Sequence, residues 1–152
     1  MFTGEIKPEE DGITHINCYS KSKTILGRQL SNFELCRFTC EDGQFSSIEG
    51  YWYWLGTDHV EKDRLRAVYG WQAKALGKDL KGPDYPKVID FQKKIKAAIE
   101  CKLAAHPSLK ANLLASDLPL THYYMFGTFA KRDERSDWVW EYYERYREAN
   151  AN

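Results

Sequence analysis

The chain has no excess charge of either sign: 22 lysines and arginines balance 22 aspartates and glutamates. A broad basic face for nucleic acid is therefore not suggested, and only a local basic patch is left for that partner. No apolar run approaches the length of a membrane span, so no membrane partner is expected. The first ten residues are acidic and mixed rather than basic and then apolar, which reads as a cytoplasmic protein without a secretory leader. Cysteine is scarce. Cys36 and Cys40 are spaced neither as a zinc knuckle nor as a redox pair, and with Cys18 and Cys101 they read as reduced thiols, mostly core. Gly-rich phosphate loops and spaced metal-ligand sets are absent, so no cofactor and no tightly bound metal are expected. Internal repeats and low-complexity tracts are absent too.

Rings are what the chain has in quantity. Aromatic residues make up 14%, including ten Tyr and five Trp. Such a share suits a packed core or stacking walls for a base. With 43% hydrophobic residues the chain is not disordered, and 152 residues predict one domain, with a loose lead-in over 1–12. Alternation predicts strands over 13–18, 33–38 and 121–126, with His15 exposed on the first. Residues 21–28 read as a loop and 41–44 as a tight Asp-Gly turn. Helices are predicted from Ser47 to near Gly56, over 60–68 behind an Asp58 cap, over 71–80, and over 107–115 and 137–148. A long helix before Lys102-Leu103 is expected to be capped by Asp84, with Pro86 in its first turn. On it Val88, Phe91, Ile95, Ala98, Ile99 and Leu103 form one apolar stripe, and Lys93, Lys94 and Lys96 a solvated face. Trp138, Tyr142 and Tyr146 are expected to pack along the last helix. The fold class is α+β: a helix-rich single domain around a small β-sheet.

Residues 45–54, Phe-Ser-Ser-Ile-Glu-Gly-Tyr-Trp-Tyr-Trp, are the most informative stretch. Ser46 or Ser47 can cap a helix, because a serine oxygen accepts a bond from a free first-turn N–H. Either choice puts Glu49 in the first turn, a lone carboxylate among rings. Rings that exclude water raise a carboxyl's pKa, and one titrating near neutrality serves as general acid or base. The alternative is a capping-box glutamate that bonds back to the backbone. Trp52 lies three residues beyond Glu49 and can share its helical face. Trp52 and Tyr53 are the stacking candidates for a nucleobase, a contact that tolerates any base.

Elsewhere, Asn32 sits in a turn where it can fix a sugar hydroxyl or its own backbone. The Arg28 fork matches phosphate oxygens, with an exposed loop arginine as the equal alternative. Alternation puts His122 and Tyr124 on one face and Tyr123 on the other. That pair offers a proton carrier and a ring, or else a buried, satisfied histidine.

Several short segments occur in order along nearly the whole chain. They are Ile16-Asn17-Cys18-Tyr19-Ser20, Leu30-Ser31-Asn32-Phe33, Asp42-Gly43, Ser47-x-Glu49 and Ala73-Lys74-Ala75-Leu76-Gly77-Lys78. Lys102-Leu103 follows, then Pro107-Ser108-Leu109-Lys110 and Leu113-Leu114. In that order the chain resembles the NADAR family, also called YbiA-like, of N-glycoside hydrolases. The resemblance implies a NADAR/YbiA-like fold and a glutamate working with a lysine, which attacks the opened sugar as a neutral amine. Glu49 matches that glutamate. The chain also departs from the family. Tyr53 stands where a glutamine is usual on the signature helix, and Gly56 where that lysine is usual. A polar segment often reading N-x-x-W-G is replaced by residues 118–127. This variant resembles a subgroup common in bacteriophage genomes, which would place the protein in the host cytoplasm. Lys74 is then the nearest matched amine, and Lys78, at helical spacing, can meet a phosphate.

The implied function is an N-glycosidase acting on an ADP-ribosylated or ribosylated base, such as ADP-ribosyl-guanine in nucleic acid. Glu49 and Lys74 are the catalytic candidates. Arg28, Asn32, Trp52, Tyr53, Lys78, His122 and Tyr124 are the substrate-binding ones. With the usual lysine and glutamine replaced, the alternative is a non-catalytic binding module for ADP-ribose-like nucleotides. A third reading makes the aromatic segment a protein-interaction surface.

Overall fold

The computed structural model describes residues 1–83, Tyr85 and residues 88–151. The architecture is α+β and helix-rich, and among the described residues the strands pair as three two-stranded sheets. The chain divides into two compact units, one of Met1–Ser31 with Ser108–Asn152, the other of Asn32–Pro107.

In the first of these, β1 (Ile16–Asn17) runs parallel to β4 (Leu120–Thr121). The Asn17 side chain extends this pairing: its Nδ2 donates to the Tyr123 carbonyl at 3.1 Å and its Oδ1 accepts from the Tyr123 N–H at 3.0 Å. Beyond it, β5 (Tyr123–Phe126) and β6 (Phe129–Arg132) form an antiparallel hairpin. The single strand expected over 121–126 is thus split at His122, and β6 was not anticipated. Residues 21–28 are not a loop throughout. Thr24 caps α1 (Ile25–Leu30) by accepting from the Gly27 N–H at 2.9 Å, and Leu26 and Leu30 bury one side of it. A side chain at Gly27 would overlap the Asn17 carbonyl, so glycine lets the helix lie directly on β1.

His15 is fully buried, not exposed. Its Nε2 lies 2.7 Å from the Tyr123 hydroxyl and its ring stacks on Phe2 at 4.9 Å. Burial holds its pKa below the usual histidine value, against the pull of Asp11 and Glu10. Alternation alone could not show that Phe2 covers this side. α5 (Pro107–Ala115) lies where it was expected and buries Leu109 and Leu113. α6 (Asp137–Ala149) buries Val139, Trp140 and Tyr143, and Trp138, Tyr142 and Tyr146 are only half-buried. A helix this rich in rings offers more than one apolar stripe, and the sequence does not choose between them.

The second unit opens with a hairpin, β2 (Phe38–Cys40) and β3 (Gly43–Phe45), closed by Glu41 and Asp42 as the Asp-Gly pair predicts. The strand expected over 33–38 begins only at Phe38. Upstream groups are engaged elsewhere: the Phe33 carbonyl accepts from the Gly70 N–H and the Cys36 N–H donates to Ser46. α2 (Ile48–Leu55) follows, ending at Gly56. The helix expected over 60–68 is a 3-10 turn, Lys62–Ala67, with no side-chain cap. It packs close to α2 because Gly50, which has no side chain, faces the Leu65 carbonyl. α3 (Gly70–Leu80) and α4 (Phe91–Ala105) complete the unit.

On α4, Ile95, Ala98, Ile99 and Leu103 are buried as the stripe predicts, and Lys102 is buried with them. The expected Asp84 cap and Pro86 lie outside the described residues. The helix itself starts at Phe91, so Val88 precedes it. Lys94 is not simply solvated: it bridges Glu41 at 2.9 Å and Asp42 at 3.6 Å on the hairpin. All four cysteines are free thiols, Cys18 and Cys36 buried and the other two half-buried. No described helix is long and apolar enough to cross a membrane.

Asp11 ties down the first unit's connections, accepting from the Asn17 N–H, the Ser22 hydroxyl and the Lys23 N–H, each at 2.9 Å. Asp11→Ala would leave all three donors without their acceptor. It should cost about 2–4 kcal/mol, seen as a lower urea midpoint, with Asp11→Asn costing less. An unchanged midpoint for the alanine variant contradicts this role.

Candidate functional site

The site is built on the start of α2. Ser47 caps the helix, its Oγ accepting from the Gly50 N–H at 3.0 Å. The same hydroxyl donates to the Val68 carbonyl at 2.9 Å, fixing α2 against the segment that leads into α3. With Ser47 at the cap, the third helical residue is Gly50 and Glu49 is the second. Glu49 is therefore out of capping-box register, and the backbone-bonded alternative does not occur. Among the described residues its carboxyl makes no hydrogen bond. Its backbone N–H donates to the Asn32 carbonyl at 3.0 Å, which joins the Ser-Asn-Phe turn to the helix start.

Glu49 keeps some accessible surface, yet the protein around its carboxyl dominates. Desolvation pushes its pKa from 4.5 up to about 7, with Lys74 pulling the other way. Lys74 stands on α3, where its ammonium also lies 5.0 Å from the centroid of the Trp71 ring and 6.0 Å from that of Phe33. Asn32 contributes a second polar group: its Oδ1 is buried with no hydrogen-bond partner among the described residues. Lys78, one turn beyond Lys74, is exposed. No described cluster of three or more His, Cys, Asp or Glu is arranged to hold a metal ion.

Of the two stacking candidates, Tyr53 is engaged in packing. Its ring stacks on Tyr85 at 5.3 Å with an interplanar angle of 11°, and Gly77 of α3 lies against it. Trp52 is half-buried and edge-on to Phe91 at 4.9 Å. Tyr53 and Gly56 of α2 are parts of one packing solution. A side chain at Gly56 would overlap the Tyr85 ring, and one at Gly77 would overlap Tyr53. Tyr53 recruits Tyr85, and Tyr85 fills the space into which residue 56 would project.

Sequence reasoning missed Tyr85, which also feels the Glu49 charge and whose phenol is held above its usual pKa mainly by burial. It sits in a breaker segment whose only signal is a lone ring among Pro, Gly and Asp. Phe33, inside the matched segment Leu30-Ser31-Asn32-Phe33, and Trp71, two residues before Ala73, were not read as site residues either.

Arg28, His122 and Tyr124 belong to the other unit. Arg28 lies on α1, and its guanidinium donates to the Ser22 carbonyl at 2.7 Å. His122 is buried, its Nδ1 donating to the Cys18 carbonyl at 2.7 Å. Tyr124 meets it edge-on at 4.8 Å, so the two rings share one side, as alternation predicts. Trp140 lies 5.3 Å from the same imidazole. Tyr123 points the other way, to His15.

Gly56→Ala and Gly77→Ala should each cost about 1–3 kcal/mol through overpacking, and Tyr85→Ala should relieve Gly56→Ala in a double-mutant cycle. Independent, additive losses would contradict the packing account. Glu49 makes a second prediction. Because its pKa is raised on folding, its contribution to stability falls as pH rises from about 4.5 to about 7 and stays low above that. Glu49→Gln should thus stabilise the protein by about 1–3 kcal/mol at pH 8 and little at pH 4, measured as thermal midpoints. An equal effect at both pH values contradicts it.

No family model matches the sequence, and no curated protein matches it. Among solved structures, the chain is similar to the NMR structure of the E. coli protein YbiA. The TM-score is 0.66 at 17% identity, over 95% of this chain and 92% of that one. The fold is YbiA-like, the fold class that the ordered segments imply.

Proposed function

We propose that the protein hydrolyses the N-glycosidic bond of an ADP-ribosylated or ribosylated base, with Glu49 as the proton donor. The observation that carries this reading is a carboxyl held near neutrality, without a hydrogen bond among the described residues, and under the field of Lys74. Breaking the bond sends its electron pair to the departing base nitrogen and leaves positive charge on the sugar. The Glu49 proton goes to that nitrogen. The resulting carboxylate, stabilised by Lys74, faces the cationic sugar and then takes a proton from the water that adds to the anomeric carbon. Water is split across the bond and Glu49 ends protonated.

Lys74 acts here as a cation rather than as an attacking amine. Its position over two ring faces suits that role. The Asn32 carboxamide oxygen suits a sugar hydroxyl as its missing donor. Trp52 borders the reacting atoms and Lys78 meets a phosphate. For a bacteriophage-type protein, reversing ADP-ribosylation of nucleic acid in the host cytoplasm would be a natural use. A second reading has one observation in its favour: Tyr85 leaves no room at position 56 for an amine, which fits a module that holds ADP-ribose-like nucleotides without cutting them.

The test is to incubate the protein with guanine-ADP-ribosylated DNA and measure free ADP-ribose. Glu49→Gln should lower turnover by about 10²–10⁴-fold. Because the donor must be protonated, wild-type kcat/KM should fall as pH rises through about 7. Turnover unchanged in Glu49→Gln would remove Glu49 from the mechanism. No release at any pH, with ADP-ribose still bound, would favour the binding module.

A further inference from the structure

Trp71 is the least expected ring in the second unit. It stands in the first turn of α3 and is 67% exposed, in a chain whose other tryptophans are buried or half-buried. An exposed indole that is merely loose needs no explanation. This one is held. Phe33 meets it edge-to-face at 5.3 Å and 75°, and the Phe33 carbonyl accepts from the Gly70 N–H at 2.9 Å, just before Trp71. The turn carrying Phe33 is thereby fastened to the start of α3. Tyr69, on the other side of Gly70, is 45% exposed. Lys74 follows Trp71 by three residues, on the same helical face, and borders both rings. Lys74 also reaches Glu49 electrostatically, so this aromatic edge adjoins the proposed acid.

We propose that Phe33 and Trp71 form a stacking wall for the heterocycle of a nucleotide, with the Lys74 ammonium taking the phosphate attached to it. The occupant follows from the two chemistries placed side by side. A fixed, solvent-facing indole backed by a half-buried phenyl ring suits a flat π-system, which gains from stacking without needing a particular hydrogen-bond pattern. A cation held over the rings, 5.0 Å from the Trp71 centroid, suits an anionic substituent on the same ligand. A peptide or lipid would use the rings but gives no reason for the paired cation. The inference deepens the glycosidase reading, since it rests on Glu49 lying at the same place and assigns base recognition to rings outside the signature helix. Tyr53 is withdrawn from that role by its stack with Tyr85.

The experiment uses the full chain and adenosine 5′-monophosphate as probe, with ribose 5-phosphate as the base-free control. Binding is followed by the Trp71 indole N–H resonance and by calorimetry. The nucleotide should shift the Trp71 resonance and bind about tenfold more tightly than ribose 5-phosphate. Trp71→Ala should weaken nucleotide binding by about tenfold. Trp71→Phe keeps a ring against Phe33, so it should restore most of the binding with a thermal midpoint matching the wild type. Lys74→Met should weaken the nucleotide and flatten the salt dependence of its binding. The proposal is overturned if the nucleotide does not bind at millimolar concentration, if it binds Trp71→Ala as tightly as wild type, or if ribose 5-phosphate binds equally well. Release of ADP-ribose is scored separately. A protein that binds the nucleotide at Trp71 yet cuts nothing loses only the glycosidase reading.

Discussion

One hydroxyl sets the geometry from which the candidate site follows. Ser47 Oγ accepts from the Gly50 N–H and donates to the Val68 carbonyl, so it both starts α2 and fixes the segment that leads into α3. Moving the cap one residue earlier would make Glu49 the third helical residue, in capping-box register and bonded to the backbone. With the cap at Ser47, Glu49 is the second and its carboxyl is left without a described hydrogen bond. Asn32, whose carbonyl takes the Glu49 N–H, brings the preceding turn to the same place. Removal of water around the acid does the rest: a carboxyl that has lost hydration without gaining hydrogen bonds titrates high.

The aromatic content works at two levels. Phe38, Phe45 and Tyr51 pack against one another as core, and Tyr53 and Tyr85 stack over Gly56 and Gly77. This packing explains why glycine stands at position 56. Trp71 is a ring of another kind, held edge-to-face by the half-buried Phe33 and left facing solvent. The arrangement carries a cost as well: a carboxyl whose pKa is raised on folding destabilises the folded protein at neutral pH.

Much of this was legible in the sequence wherever a local rule decided the outcome. The Asp42-Gly43 turn, the Ser47 cap, the end of α2 at Gly56 and the stripe on α4 each follow from a few neighbouring residues. The failures fall where partners distant in sequence decide. His15 alternates like a surface residue, but Phe2 and Tyr123 bury it. Residues 21–28 look like a loop until Thr24 caps α1, with Asp11 holding Ser22 and Lys23 just before it. The ring-rich α6 permits several stripes, and packing selected Val139, Trp140 and Tyr143. Within the site, Glu49 and Lys74 were read from matched segments. Tyr85 had no periodicity or motif to mark it, and its importance appears only through the overlap it would make with a side chain at position 56.

The most direct measurement is the pKa of the Glu49 carboxyl itself, followed by carbon NMR in protein labelled at glutamate and assigned by the loss of the resonance in Glu49→Gln. The account predicts a midpoint near 7 in the wild type, and a higher one in Lys74→Met, because the lysine charge lowers it. A midpoint near the ordinary 4.5, unmoved by the lysine substitution, would mean that the acid is solvated and apart from Lys74, and the central claim would be wrong.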